Sequence, residues 1–338
     1  MNQIRKSGSS FMLLAITVFR YPALAVFSLS ILLSQPSPKR ATGLNSPGIQ
    51  RTMASIKPLA TFDVPGAPDW MAVADNSVWV TSSPKNTVTQ LNATTNTVGH
   101  VVTVAKPCSG LVFAFGSIWS PSCGQHALVR FNATSGVIEA TISVGPVESE
   151  GGIAAGAGSV WMLIAKSGVL ARINAKTNTV ERRIAVPAGS VACTFGAGAV
   201  WITSPAASVV ARVDPASNAV THKIKVGQNP RFVTFGGGSV WTLNQGDGTV
   251  SRIDTSAYKL LGNIEAGLQG EGGEITFGEG ALWVTLIKFP ITKIDPLTNK
   301  VSRQWAGPGG DSIRVGLGSL WLTDYQGQKV WRIDPKSL

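Results

Sequence analysis

The chain has 338 residues, with 29 Lys or Arg against 18 Asp or Glu, a net charge of +11; 44% is apolar and only 14% charged, with 37 Gly and 10 Trp. Disordered chains are rich in charge and poor in aromatics, so this composition excludes one. Arg5, Lys6, Arg20, Lys39, Arg40 and Arg51 lie ahead of residue 56 with no acid among them, and the rest of the excess is scattered without a Lys/Arg cluster, so no nucleic-acid partner is expected.

Residues 1–34 read as a signal peptide or signal anchor. Arg5 and Lys6 form a positive start, and an apolar stretch from Phe11 to Leu33 follows, interrupted by Arg20, Tyr21 and Pro22. Cleaved, this segment gives a periplasmic or extracellular protein; uncleaved, residues 11–33 would tether it, the one expected membrane contact. Residues 35–55, rich in Pro, Ser and basic groups, read as a flexible linker.

From residue 56 the chain repeats. A small residue, then Val, Ile or Leu, then Trp recurs at Trp79, Trp119, Trp161, Trp201, Trp241, Trp283 and Trp321, spaced 40, 42, 40, 40, 42 and 38 residues. Repeats of roughly 40–50 residues are propeller blades. Ten or eleven residues after each Trp stands Gln90, Arg130, Arg172, Arg212, Arg252, Lys293 or Arg332, and two further on an Asn or Asp. This reads as a strand entering an Asx turn, and each repeat yields four short strands. The fold class is therefore all-β, a seven-bladed β-propeller with four-stranded blades over residues 56–338. The last repeat ends without a fourth strand, and Ile56–Val64 matches the missing one, so the N-terminal strand should complete the last blade. The seven Trp are expected between blades, the basic row as structural ion pairs or a solvated row, and the Asn/Asp row as turn caps, including the Asn92 and Asn132 glycosylation-type triplets.

The run R-(I/V)-(D/N)-P-x-(T/S)-N-x-V, then V-G-x-x-P, then G-x-G-(S/A)-V-W resembles the streptogramin (virginiamycin B) lyases and the YVTN, YncE-like propellers, across residues 56–338. The resemblance implies a seven-bladed propeller. For the lyases it further implies magnesium-dependent opening of a cyclic depsipeptide lactone by elimination, with a His base in a Pro-His-Gly-Ile type element at the start of first strands. Here the matching positions, ten before each Trp, are Asp69, Ser109, Gly151, Val191, Arg231, Gly273 and Asp311. None is a His, and no catalytic residue carries over. The three histidines are His100, His126 and His222, and the first and last of these fall on fourth, outermost strands.

Function is expected at the channel mouth, in the loops before the first strands, where blades differ. The ionisable residues there are Asp69, Glu150, Arg231, Glu271, Glu274 and Asp311, with Arg314 slightly further along. Ionisable groups converging on one axis perturb one another's pKa values. Oxygen donors of this kind suit Mg²⁺ or Ca²⁺, through Glu150, Glu274 and Asp311. Two readings follow. The first is an exported monomer binding a small molecule, glycan, peptide or envelope protein at the mouth. The alternative is a metal-dependent lyase or lactone hydrolase, streptogramin lyase-like or gluconolactonase-like. Cys108 and Cys123 sit in same-face loops of one blade and are expected as a disulfide, the other option being a metal set with His126. Cys193 is expected as a buried thiol. Asn244-Gln245-Gly246-Asp247-Gly248 reads as a tight turn, with a fragmentary likeness to a Ca²⁺ loop.

Overall fold

A computed structural model of the protein describes residues 41–338; the expected signal segment lies outside the described residues. Seven antiparallel sheets follow one another along the chain, at residues 68–103, 112–142, 153–185, 192–225, 230–265, 274–306 and 313–333, here called blades one to seven. In each, consecutive strands are hydrogen-bonded neighbours. First strands of successive blades abut around a central channel.

The Trp strands dictate this arrangement. Strands such as Ser77–Ser82, Ala199–Ser204 and Ser319–Asp324 are buried along their whole length. A sheet with no wettable face needs neighbours on both sides, and radial stacking supplies them. All seven Trp are fully buried. Six bond their indole N–H to the carbonyl five residues back, as Trp201 Nε1 does to Gly196 O at 3.0 Å; Trp79 donates instead to Ala133 O in blade two at 3.2 Å.

The residue five before the Trp is Gly in five blades, for a steric reason. A Cβ at Gly156, Gly196 or Gly236 would stand 2.0–2.3 Å from the ring of Phe195, Phe235 or Phe277 in the next blade. Glycine here lets the inner strands approach closely enough for each Phe to seal the joint.

The basic row is a clamp between blades as well as a row of ion pairs. Arg172 Nε bonds Ser159 Oγ in its own blade at 2.9 Å, while Nη1 reaches Pro215 O and Asn218 Oδ1 in the next at 2.8 and 2.9 Å. Arg130, Arg252 and Arg332 repeat this geometry. Their guanidinium groups stack over the Trp of their own blade, as Arg252 does over Trp241 at 4.7 Å. Arg212 departs from the pattern because Ala199 replaces the Ser; it turns to the Tyr258 ring at 4.9 Å and Thr221 Oγ1 at 2.8 Å. The Asn/Asp row caps turns, with Asn92 and Asn132 accepting from the amides two and three residues on.

The strand Ala60–Asp63 pairs antiparallel with Lys329–Ile333 and completes blade seven, burying Phe62 and Val64. The linker expected over 35–55 is docked on the propeller where it is described, with the Thr42 and Gly43 amides bonded to Gly267 O at 3.2 and 3.0 Å. Gln50–Thr52 adds a fifth, parallel strand to blade six, in register with Gln304–Ala306. Gln304 and Trp305 are the reason. At the position of Gln304 other fourth strands present exposed residues such as Arg183, Lys223 and Asn263, whereas Gln304 is buried beside Trp305, under a cover supplied by Met53 and by the Leu44 amide bonded to Gln304 Oε1 at 2.7 Å.

Candidate functional site at the channel mouth

First strands run inward from the mouth, so residues at equal distance before each Trp form layers around the axis. Ten before the Trp lie Asp69, Arg231 and Asp311; one step further out lies Glu150; one step in lie Trp70, Phe232, Glu274 and Ser312. Arg314 stands two steps further along its strand than Ser312.

Asp69 in blade one and Asp311 in blade seven lie next to each other at the mouth, near enough for each carboxyl to bear on the other's titration. Asp311 Oδ1 accepts from the Gly273 amide at 3.2 Å. Gly272 admits this approach, since a Cβ there would lie 3.3 Å from the same oxygen. Asp311 itself has φ +152°, following Gly309 and Gly310 at +97° and +96°. A non-Gly residue in that region stores strain, held only where its surroundings enforce it. Burial, and then repulsion by Asp311, Glu150 and Glu274, pushes the Asp69 carboxyl well above its usual range. Burial likewise raises Asp311, to about 6, against the lowering effect of the Gly273 amide. Both carboxyls thus keep their protons to higher pH than isolated ones would.

The other two acids are neutralised. Glu274, only 4% exposed, pairs with Arg314 and accepts from Ser312 Oγ at 2.6 Å and the Ile313 amide at 3.0 Å. Its pKa is nonetheless raised, burial outweighing the arginine and the hydrogen bonds. Glu150 of blade three pairs with Arg231 of blade five, across the blade between. Glu271 is not brought in; it is exposed and makes no ion pair among the described residues.

Two rings meet across the channel. Trp70 of blade one and Phe232 of blade five, on non-adjacent blades, approach to 6.3 Å between centroids at 44°. Both are buried. Gly151 gives the indole its space, with a Cβ there falling 3.3 Å from Trp70 Cζ3. Beside this bridge lies a cavity of about 320 Å³, lined by inner-strand residues together with Glu150, Glu274 and Arg314.

The carboxylates do not assemble the cation site expected of Glu150, Glu274 and Asp311. Among the described residues no three Asp, Glu, His or Cys groups stand together so as to hold a metal ion. The cause is pairing: two of these acids face arginines and the third faces Asp69. Cys108 and Cys123 are joined by a disulfide, which removes them as thiolate ligands beside His126. Cys193 is buried, and desolvation holds its thiol protonated. The Asn244 loop is a tight turn, with Asp247 Oδ1 accepting from Thr249 N and Oγ1 at 3.1 and 2.7 Å.

Sequence reasoning missed Trp70, Phe232, Ser312 and Tyr325. Tyr325 is 41% exposed, and its hydroxyl is raised by burial and then by the charges of Asp69 and Asp311. A signal was present for the first of these, because Trp70 stands outside the repeated Trp series.

No protein-family model matches the sequence, and no curated protein matches it. Among solved structures, the fold is similar to selenomethionine-substituted virginiamycin B lyase from Staphylococcus aureus, with a TM-score of 0.69 and 17% identity over 81% of this chain and 98% of that one. A catalytically inactive His-to-Ala variant of the same lyase, solved with quinupristin, gives 0.68 and 17% over 81% and 98%. A streptogramin B lyase gives 0.65 and 16% over 80% and 95%. At these identities the likeness is one of fold.

Proposed function

We propose that this chain is an exported ligand-binding propeller that captures a small molecule or peptide by a cationic group at the channel mouth. The observation that carries this reading is the Asp69–Asp311 pair. Glu150 and Glu274 each have an arginine, while Asp69 and Asp311 have each other and the Gly273 amide but no cation among the described residues. An ammonium or guanidinium group entering there would displace a proton from the pair and satisfy both oxygens, a charge-assisted contact stronger than a neutral one. Tyr325, half-exposed and within the field of both carboxylates, offers an aromatic ring to the same cation. The quinupristin bound to a lyase of the same fold supports a small-molecule ligand for a propeller of this shape. Export is supported by the composition of residues 1–34 and by the disulfide.

Titration calorimetry with putrescine, arginine amide and a lysine-bearing tripeptide tests the reading. At least one should bind at neutral pH with release of protons to the buffer, and Asp69→Asn with Asp311→Asn should abolish it. Failure of all three probes, or binding indifferent to that double variant, would remove the mouth as a cation site.

A further inference from the structure

The cavity beside the Trp70–Phe232 bridge differs in chemistry from the mouth. Seven blades bring seven residues to the layer seven before the Trp, and they divide by side. Blades one to three supply Ala72, Val112 and Ala154; blades four to six supply Thr194, Thr234 and Thr276; blade seven supplies Arg314. One wall is hydrocarbon and the other is hydroxyl and guanidinium.

The polar wall has spare hydrogen-bonding capacity. Thr194, Thr234 and Thr276 line the cavity, and their hydroxyls have no protein partner among the described residues, although Thr276 is only 8% exposed. Arg314 commits Nη1 to Glu274 and to the Ile313 carbonyl. Its Nη2 and Nε remain as donors. These hydroxyls open onto the cavity, where an ordered polar ligand or water can take the bonds that the protein leaves unmade.

Charge narrows the class of ligand. The charged groups on the lining are Glu150, Glu274 and Arg314; Glu274 is paired with Arg314, and Glu150 with Arg231 beyond the lining. An ion would enter a balanced field and gain nothing to offset its desolvation. A neutral molecule with hydroxyls on one side and C–H groups on the other matches both walls: the hydroxyls meet the threonines and Arg314, and the C–H face meets Trp70 and the alanines. The volume of about 320 Å³ falls at the lower end of ligand pockets, roughly 300–1,000 Å³. We infer that the channel holds a second binding site, for a neutral pyranose of monosaccharide size, whose lining runs from Glu150 and Gly151 past Trp70 and Phe232 to Phe113 and Phe195 and includes neither Asp69 nor Asp311.

Saturation-transfer NMR followed by calorimetry with glucose, galactose, mannose and N-acetylglucosamine tests this, with myo-inositol and sorbitol as non-pyranose polyols. At least one pyranose should bind and quench tryptophan fluorescence. Replacing Thr194 and Thr234 by the near-isosteric Val should weaken it about tenfold or more, Thr276→Ser should leave it near the parent value, and Asp69→Asn with Asp311→Asn should leave it unchanged. Because Thr276→Ser keeps the hydroxyl, its retained affinity separates a hydrogen-bonding role from a packing one. Absence of binding by every pyranose up to tens of millimolar overturns the site. So does an affinity unmoved by the Val pair, or one lost with the mouth pair.

Discussion

Arg332 in the last blade donates to Asn96 Oδ1 in the first at 2.9 Å, across 236 residues of chain. The same guanidinium holds Ser319 Oγ in its own blade and Ala93 O in the first. The joint that closes the ring is therefore built like the internal joints made by Arg130, Arg172 and Arg252.

Replacing Arg332 by Lys keeps the charge and loses the fork, leaving acceptors in two blades unmet. We expect a loss of about 1–3 kcal/mol in denaturant unfolding. Lys329→Ala, which breaks an ion pair with Asp63 that is mostly exposed, should cost about 0–1 kcal/mol in the same measurement. Equal losses would show that charge rather than geometry holds the seam.

Gly196→Ala should destabilise through its neighbour. The added Cβ would meet Phe235 Cγ at 2.0 Å, and overpacking of this kind costs about 1–3 kcal/mol. Combined with Phe235→Leu, which frees space at that point, the loss should be smaller than the sum of the single variants. Additive losses would locate the strain elsewhere.

The acid pair has a pH signature with a definite sign. The Asp311 carboxyl sits at about 6 in the folded protein, above the ordinary 3.8, so the native state binds more protons between those values. Its contribution to stability is fully present below the unfolded value and is lost as pH rises through the folded one. Asp311→Asn should accordingly raise the melting temperature at pH 8 relative to the parent, by the equivalent of about 1–3 kcal/mol, with the advantage shrinking toward pH 4. A parallel offset at every pH would mean that relief of the Asp311 backbone, and not its charge, is responsible.

The Cys108–Cys123 disulfide closes a loop with a sequence separation of 15. Replacing both by Ser should cost about 3 kcal/mol on the chain-entropy estimate. Reductant should bring the parent down to the variant's melting temperature and leave the variant unmoved.

The architecture was readable because the Trp period sets the blade and the Asx turns punctuate it. The closing strand was readable because Ile56–Val64 shares the pattern of the strands it replaces. The fifth strand of blade six was not, since Gln50, Arg51 and Thr52 are all exposed and show no alternation; the clue lay in its partner, where Gln304-Trp305 stands in place of pairs such as Arg183-Ile184 and Lys223-Ile224. At the mouth, position in the repeat led to the right loops but not to the pairings. Glu150 meets Arg231, and Trp70 meets Phe232, across intervening blades, which depends on the curvature of the closed ring. Glu271 shares the loop of Glu274 but precedes the turn through Gly272 and Gly273 that carries the later residue to the axis.

The strand Ala60–Asp63 is among the first parts of the body to be synthesised, and its partner Lys329–Ile333 among the last. Until translation is nearly complete this strand has no sheet partner, and Phe62 and Val64, which share a cluster with Met71, Val78 and Val80 of blade one, still lack Trp321 and Val330 of the last blade. Ring closure is therefore a late event, and the contact order of this one pairing sets a long delay before it. Over that interval the chain is most exposed to pairing with another copy of itself, so a factor that shields residues 60–64 during synthesis would raise the yield of closed propeller without altering its final stability.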